Sequence, residues 1–103
     1  MGLQVFLPIG DTVNLTATTT SSRVALTNPE LGSGTEEVRI RNTGAVDAFI
    51  QFGDSTVVAA VATSIPIQPN SVEAFRIRTS ATHMAAVTAS GSAVVYATSG
   101  QGL

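Results

Sequence analysis

The sequence predicts an all-β fold: a single-domain β-sandwich, jelly-roll-like, of seven or eight short antiparallel strands. Three observations lead there. Apolar and polar residues alternate in short runs along most of the chain, the period-two mark of half-buried strands. Turn formers such as Asn28-Pro29, Asn42-Thr43-Gly44, Pro69-Asn70 and Ser90-Gly91 separate those runs. No window carries an amphipathic stripe with helix caps, so the crossover helices of a parallel α/β sheet have no place.

Residues 12–18 form the first strand, with Val13, Leu15 and Ala17 on one face. Residues 23–26 follow, closed by Asn28-Pro29, and Gly32-Ser33-Gly34 reads as a loop. Residues 37–41 alternate, Val38 and Ile40 inward against Glu37, Arg39 and Arg41 outward. After the turn at 42–45, residues 46–52 return as a strand. Residues 57–63 mix Ala with β-branched Val and leave strand and helix both open. Ile65-Pro66-Ile67 belongs at an edge, because proline has no N–H to give to a ladder. Residues 72–78, 83–89 and 92–98 complete the set, the last two joined by a hairpin-type turn at Ser90-Gly91. Residues 99–103 are expected as a flexible or docking tail of a domain spanning 1–103.

Composition narrows the function. Charged residues make up 12% of the 103, about half of the ~25% usual for soluble domains. The chain has no Cys, no Trp, no Lys and one His. A thiolate metal centre and a disulfide framework are thereby excluded. A net charge of -2 argues against a nucleic-acid surface. Hydrophobic residues reach 44%, yet many are Ala, so the core is light for a domain that needs about 5–15 kcal/mol of stability. The longest apolar run, 57–62, is far short of the ~20 residues of a membrane helix. No secretion signal is visible, and a soluble protein made in the cytoplasm is expected. Edge strands are commonly guarded by charge, and here the guards are few, which argues for subunit contacts.

Candidate chemistry is sparse. Gly53-Asp54-Ser55 resembles the Gly-Asp-Ser of a family of esterases, but His83 has no Asp beside it in sequence, and a serine without an oriented base is only a hydroxyl. His83 alone makes no metal cluster. No catalytic, cofactor-binding or metal-ligating residue is assigned, and no cofactor is expected. The sharpest constellation is Arg39, Arg41, Arg76 and Arg78, carried by the echo Val38-Arg39-Ile40-Arg41 and Phe75-Arg76-Ile77-Arg78. Each pair projects from one strand face. Three roles stay open for them: cross-strand pairs with Glu36, Glu37 and Glu73, an intersubunit salt-bridge ring, or an anion site. The echoed strands could occupy equivalent places in two halves of a sandwich.

The second half of the chain, from Arg41-Asn42-Thr43-Gly44 through Ala48-Phe49-Ile50-Gln51-Phe52-Gly53-Asp54-Ser55, Ile65-Pro66-Ile67 and Ala81-Thr82-His83-Met84 to Gly100-Gln101-Gly102-Leu103, resembles small virion proteins of tailed bacteriophages. The resemblance implies a decoration or cement protein that binds the outer capsid surface, bridges shell subunits and acts as a homodimer or homotrimer. It implies the major capsid protein as partner, with no nucleic acid and no membrane, and a place on the virion after synthesis in the host bacterial cytoplasm. The alternatives are a receptor- or carbohydrate-binding domain of a tail or fibre, and a head–tail joining ring component. A sugar site wants exposed aromatics, and Tyr96 with four Phe offers few.

Overall fold

A computed structural model describes residues 6–26, 36–77 and 81–102. Among the described residues there are eight strands: β1 (Phe6–Ala17), β2 (Ser22–Ala25), β3 (Glu36–Asn42), β4 (Ala48–Gly53), β5 (Ile65–Ile67), β6 (Val72–Arg76), β7 (His83–Val87) and β8 (Ala93–Gly102). They form two four-stranded antiparallel sheets, one ordered β1-β8-β3-β6 and the other β2-β7-β4-β5. Here the chain passes from sheet to sheet at every connection but one, that between β4 and β5. This is the strand order of a jelly roll.

The alternation read from the sequence sets the two inner faces. Val38 and Ile40 of β3, Val95 and Ala97 of β8, and Ala17 of β1 face Ile50 and Ala48 of β4, Met84 and Ala86 of β7, and Ile67 of β5 in one core cluster. Among the described residues, seven of the fifteen buried apolar side chains are alanine, and the largest fully buried ones are Ile40, Ile50, Ile67 and Met84. Phe49, Phe52 and Phe75 are only half-buried, Phe52 and Phe75 meeting in a tilted pair with centroids 5.9 Å apart. The core is as light as the composition implied.

Three expectations change. The hairpin at Ser90-Gly91 is a crossing between sheets, since β7 and β8 lie in different ones. Its geometry rests on Gly91 at φ 72°, a left-handed conformation open to glycine, and on the Thr88 hydroxyl donating to the Gly91 carbonyl at 2.7 Å. The supposed tail at 99–103 is, through Gly102, the end of β8: Gly100 pairs with both Pro8 and Glu37, and Ser99 is buried. Flanking strands on both sides hold this Gly-rich segment despite its weak strand propensity. Residues 57–63 are neither strand nor helix. They form a strap over the outer face of the β2-β7-β4-β5 sheet, where Val57 and Ala59 pack on Phe49, Ala85 and Val87.

The strap is pinned at its middle and just beyond its C-terminal end. The Ala59 N–H donates to Ser21 Oγ (2.9 Å), the Ala60 N–H to Ser64 Oγ (3.0 Å), and Ser64 Oγ donates to Gln51 Oε1 (3.0 Å). Pro66 does sit in an edge strand, β5, as its missing N–H requires.

Asn42 joins the two sheets at the end of β3. Its side chain is fully buried, and Nδ2 donates to the carbonyls of Val46 and Ile67, both at 2.9 Å. Its Oδ1 accepts the Gly44 N–H at 2.8 Å. The backbone carbonyl of Asn42 takes the Asn70 N–H at 2.8 Å, with Asn70 itself at φ 59°, a conformation asparagine tolerates better than most residues. Two inter-sheet crossings therefore meet on one residue.

Candidate ligand-binding face

The two sheets differ in what lies outside them. The strap covers the outer face of the β2-β7-β4-β5 sheet, while the outer face of the β1-β8-β3-β6 sheet carries an open concavity of about 580 Å³. Its floor follows from register, because directly opposed residues share a face. One row crosses the sheet as Asn14, Tyr96, Arg41 and Val72; the next as Thr12, Thr98, Arg39 and Ala74. Arg39, Arg41, Tyr96, Val72 and the three threonines Thr12, Thr43 and Thr98 line the hollow.

The arginine strands turn out to be neighbours. β3 and β6 pair antiparallel with Val38 opposite Phe75, so the echoed motifs share one sheet rather than matching places in two halves. Arg39, Arg41 and Arg76 stand on one face; Arg78 lies outside the described residues. Of the expected ladder of ion pairs, the described residues show Arg76 with Glu37 at 4.0 Å. Glu73 is opposite Ile40 and so belongs to the other face of the sheet, out of register with the arginines. The side chain of Glu36 also lies outside the description. Among the described residues, Arg39 and Arg41 have no ion pair, and both are exposed.

The hydroxyls around them are ordered. Thr12 Oγ1 and Thr98 Oγ1 share a hydrogen bond of 2.7 Å, and Thr43 Oγ1 donates to the Val94 carbonyl at 3.0 Å. One proton of the Thr12–Thr98 pair and the lone pairs of all three oxygens stay available to a ligand. Tyr96 is 39% exposed and Val72 43%. Two guanidiniums, one aromatic ring and a set of hydroxyls thus converge on a single hollow.

The other motifs do not assemble into a site. Asp54 Oδ1 accepts from the Thr56 N–H (2.8 Å) and the Thr56 hydroxyl (2.6 Å), a turn in which Asp serves as local cap. Those bonds, first the hydroxyl and then the amide, hold its carboxyl below the ordinary value of 3.8, with His83 adding a smaller lowering. The His83 ring pairs with Thr82 Oγ1 through Nδ1 at 2.8 Å. Among the described residues no hydrogen bond joins His83 to Ser55, and no group of three His, Cys, Asp or Glu could hold a metal ion. Nor, among them, is any helix long and apolar enough to cross a membrane.

No protein-family model matches the sequence, and no curated protein does. Among solved structures, the chain is similar to a protein of Bacillus endospore appendages, which form disulfide-linked pili, at 18% identity and a TM-score of 0.51, covering 99% of this chain and 92% of that one. A second match is to a chain of infectious bursal disease virus, Gx strain, at 10% identity and a TM-score of 0.47, over 97% of this chain and 30% of the other. At such identities the first likeness concerns the fold alone.

Proposed function

We propose that this chain is a structural subunit of a multi-copy protein assembly, in the manner of a decoration or cement protein on a capsid surface. The observation that carries the reading is the state of the sheet edges. Each sheet ends on strands whose outer side pairs with no other strand among the described residues: β1 and β6 in one, β2 and β5 in the other. Backbone N–H and C=O groups along such edges are templates for another chain, normally blunted by charge, proline or shortness. β5 has three residues and Pro66, and β2 has four residues. β6 has five residues with Glu73 and Arg76 among them. β1 runs for twelve residues with Asp11 as its one charge; Pro8 and a break in register between Pro8 and Thr12 blunt its first part, and residues 12–17 remain as an uncharged edge.

Two further features support the reading. The alanine-rich core leaves the isolated chain with modest apolar burial. The strap exposes Val58 (64%) and Val61 (42%), and β5 exposes Ile65 (39%). Contact with other copies and with a major capsid protein would cover such surface, and many small contacts per particle would add to shell stability. In this reading the chain has no catalytic task and needs no cofactor, nucleic acid or membrane.

A second reading is a fibre built from copies of this chain, favoured by the position of β1 and β6 on opposite sides of one sheet. Pairing β1 of one copy with β6 of the next is head-to-tail, and such contacts run on unless a rotation closes them into a ring. The test is the ratio of this chain to the major shell protein in purified particles, by quantitative mass spectrometry. A fixed, high ratio supports decoration. A few copies per particle point to a tail or joining ring, and long polymers free of shell protein point to a fibre.

A further inference from the structure

We propose that the hollow on the β1-β8-β3-β6 sheet is a binding site for an acidic saccharide, a sugar bearing a carboxylate of the uronic-acid kind. The volume of about 580 Å³ falls within the ~300–1,000 Å³ common for ligand sites. Each feature of such a sugar has a counterpart in the hollow. Its carboxylate suits Arg39 and Arg41, exposed guanidiniums without an ion pair among the described residues, whose planar forks engage carboxylates bidentately. Its ring presents a flat C–H face, and Tyr96 lies directly across from Arg41 with its ring open to solvent. Its hydroxyls meet the Thr12–Thr98 pair in the adjoining row.

Register makes this combination a built one. Arg39 and Arg41 are two residues apart on β3, hence about 7 Å along the strand, and Tyr96 and Thr98 stand opposite them at the same spacing on β8. The two strands therefore offer a square of cation, cation, aromatic and hydroxyl on a rigid sheet rather than on loops. That is the arrangement in which little ordering is needed at binding.

Other anionic partners fit less well. An extended acidic peptide takes its backbone hydrogen bonds from a sheet edge, whereas this is a sheet face that offers side chains alone. A nucleic acid calls for a basic stripe along the surface, and this chain carries a net charge of -2. A simple anion would use the guanidiniums and leave Tyr96 and Val72 idle. The inference does not depend on how copies of the chain assemble.

The test is isothermal titration of the intact chain with trigalacturonate, beside neutral maltotriose, hexaglutamate and inorganic phosphate. Saturable binding of trigalacturonate is expected, with maltotriose, hexaglutamate and phosphate at least tenfold weaker. The double variant Arg39→Gln, Arg41→Gln should weaken trigalacturonate by at least about tenfold, given that charged bidentate bonds are the strong ones. Tyr96→Ala should weaken it and Tyr96→Phe preserve it. All the side chains changed are exposed, and circular dichroism with thermal melting checks that each variant folds. Absence of saturable binding overturns the proposal. So does equal binding of hexaglutamate or phosphate with Tyr96→Ala unchanged, which would leave a site that reads charge alone. Equal binding of maltotriose would show the arginines idle and overturn it as well.

Discussion

Replacing Asn42 by alanine should come close to unfolding the domain, although the residue touches neither the open hollow nor the strap. The substitution removes Nδ2 from the carbonyls of Val46 and Ile67 and Oδ1 from the Gly44 N–H, three bonds of 2.8–2.9 Å. The Ile67 bond is buried and the other two are partly so. A buried group left without a partner costs about 1–3 kcal/mol. Placing the buried carbonyl at the upper end and the two others at the lower end gives about 4–5 kcal/mol in all. The whole domain is expected to hold only about 5–15 kcal/mol. With about 4–8 °C per kcal/mol for a chain of this size, the melting temperature should fall by roughly 16–40 °C. Asn42→Asp is the paired control. It keeps the volume and an acceptor for Gly44, yet points a charged oxygen at two carbonyls in place of the amide donor. At neutral pH it should melt at least as low as Asn42→Ala. Urea and thermal unfolding followed by circular dichroism measure both. A loss of under 1 kcal/mol in Asn42→Ala would refute the reasoning, since the two sheets would then not depend on this junction.

Other outcomes follow from single contacts. Gly44→Ala would bring a Cβ to 2.5 Å from Ala93 Cβ and 2.6 Å from Ala93 Cα, where backbone must give way; a loss of about 1–3 kcal/mol is expected from chemical denaturation. Ser64→Ala removes the hydroxyl that holds Ala60 and Gln51, so hydrogen exchange at Ala60 should speed up while amides of Ile40 and Val95 stay protected. Asp54 should titrate by NMR below 3.8, and Thr56→Ala should move it back up, because the Thr56 hydroxyl is the largest cause of the lowering. A depressed folded value means that this contribution to stability is present above 3.8 and lost as pH falls through the lower folded value.

The strands were legible in the sequence because each turn and each alternation is a local signal. β3 is the plainest case: Val38 and Ile40 went inward, and Arg39 and Arg41 shared a face, as period two demands. Sheet membership was not legible, since a turn such as Ser90-Gly91 looks alike whether the next strand pairs with the last or crosses to the other sheet. The end of β8 was hidden for a related reason. Ser99-Gly100-Gln101 has little strand propensity of its own, and its place comes from β1 and β3 on either side.

The hollow shows the same division. Pairing two arginines on one face needed only spacing, whereas the loss of Glu73 as a partner depended on a one-residue register between β3 and β6. Tyr96 was visible as the one tyrosine, but its place opposite Arg41 depended on pairing between residues 55 positions apart in sequence. Asn42 read as an ordinary turn former, and its burial came from Ile67, a distant contribution that no local pattern signals.

The most direct test of the structural-subunit account is the mass of the purified chain in solution, by sedimentation velocity over a concentration series. A species at a multiple of the 10.5 kDa chain mass, growing with concentration, is the predicted result. A single 10.5 kDa species at every concentration would contradict self-assembly through the open sheet edges.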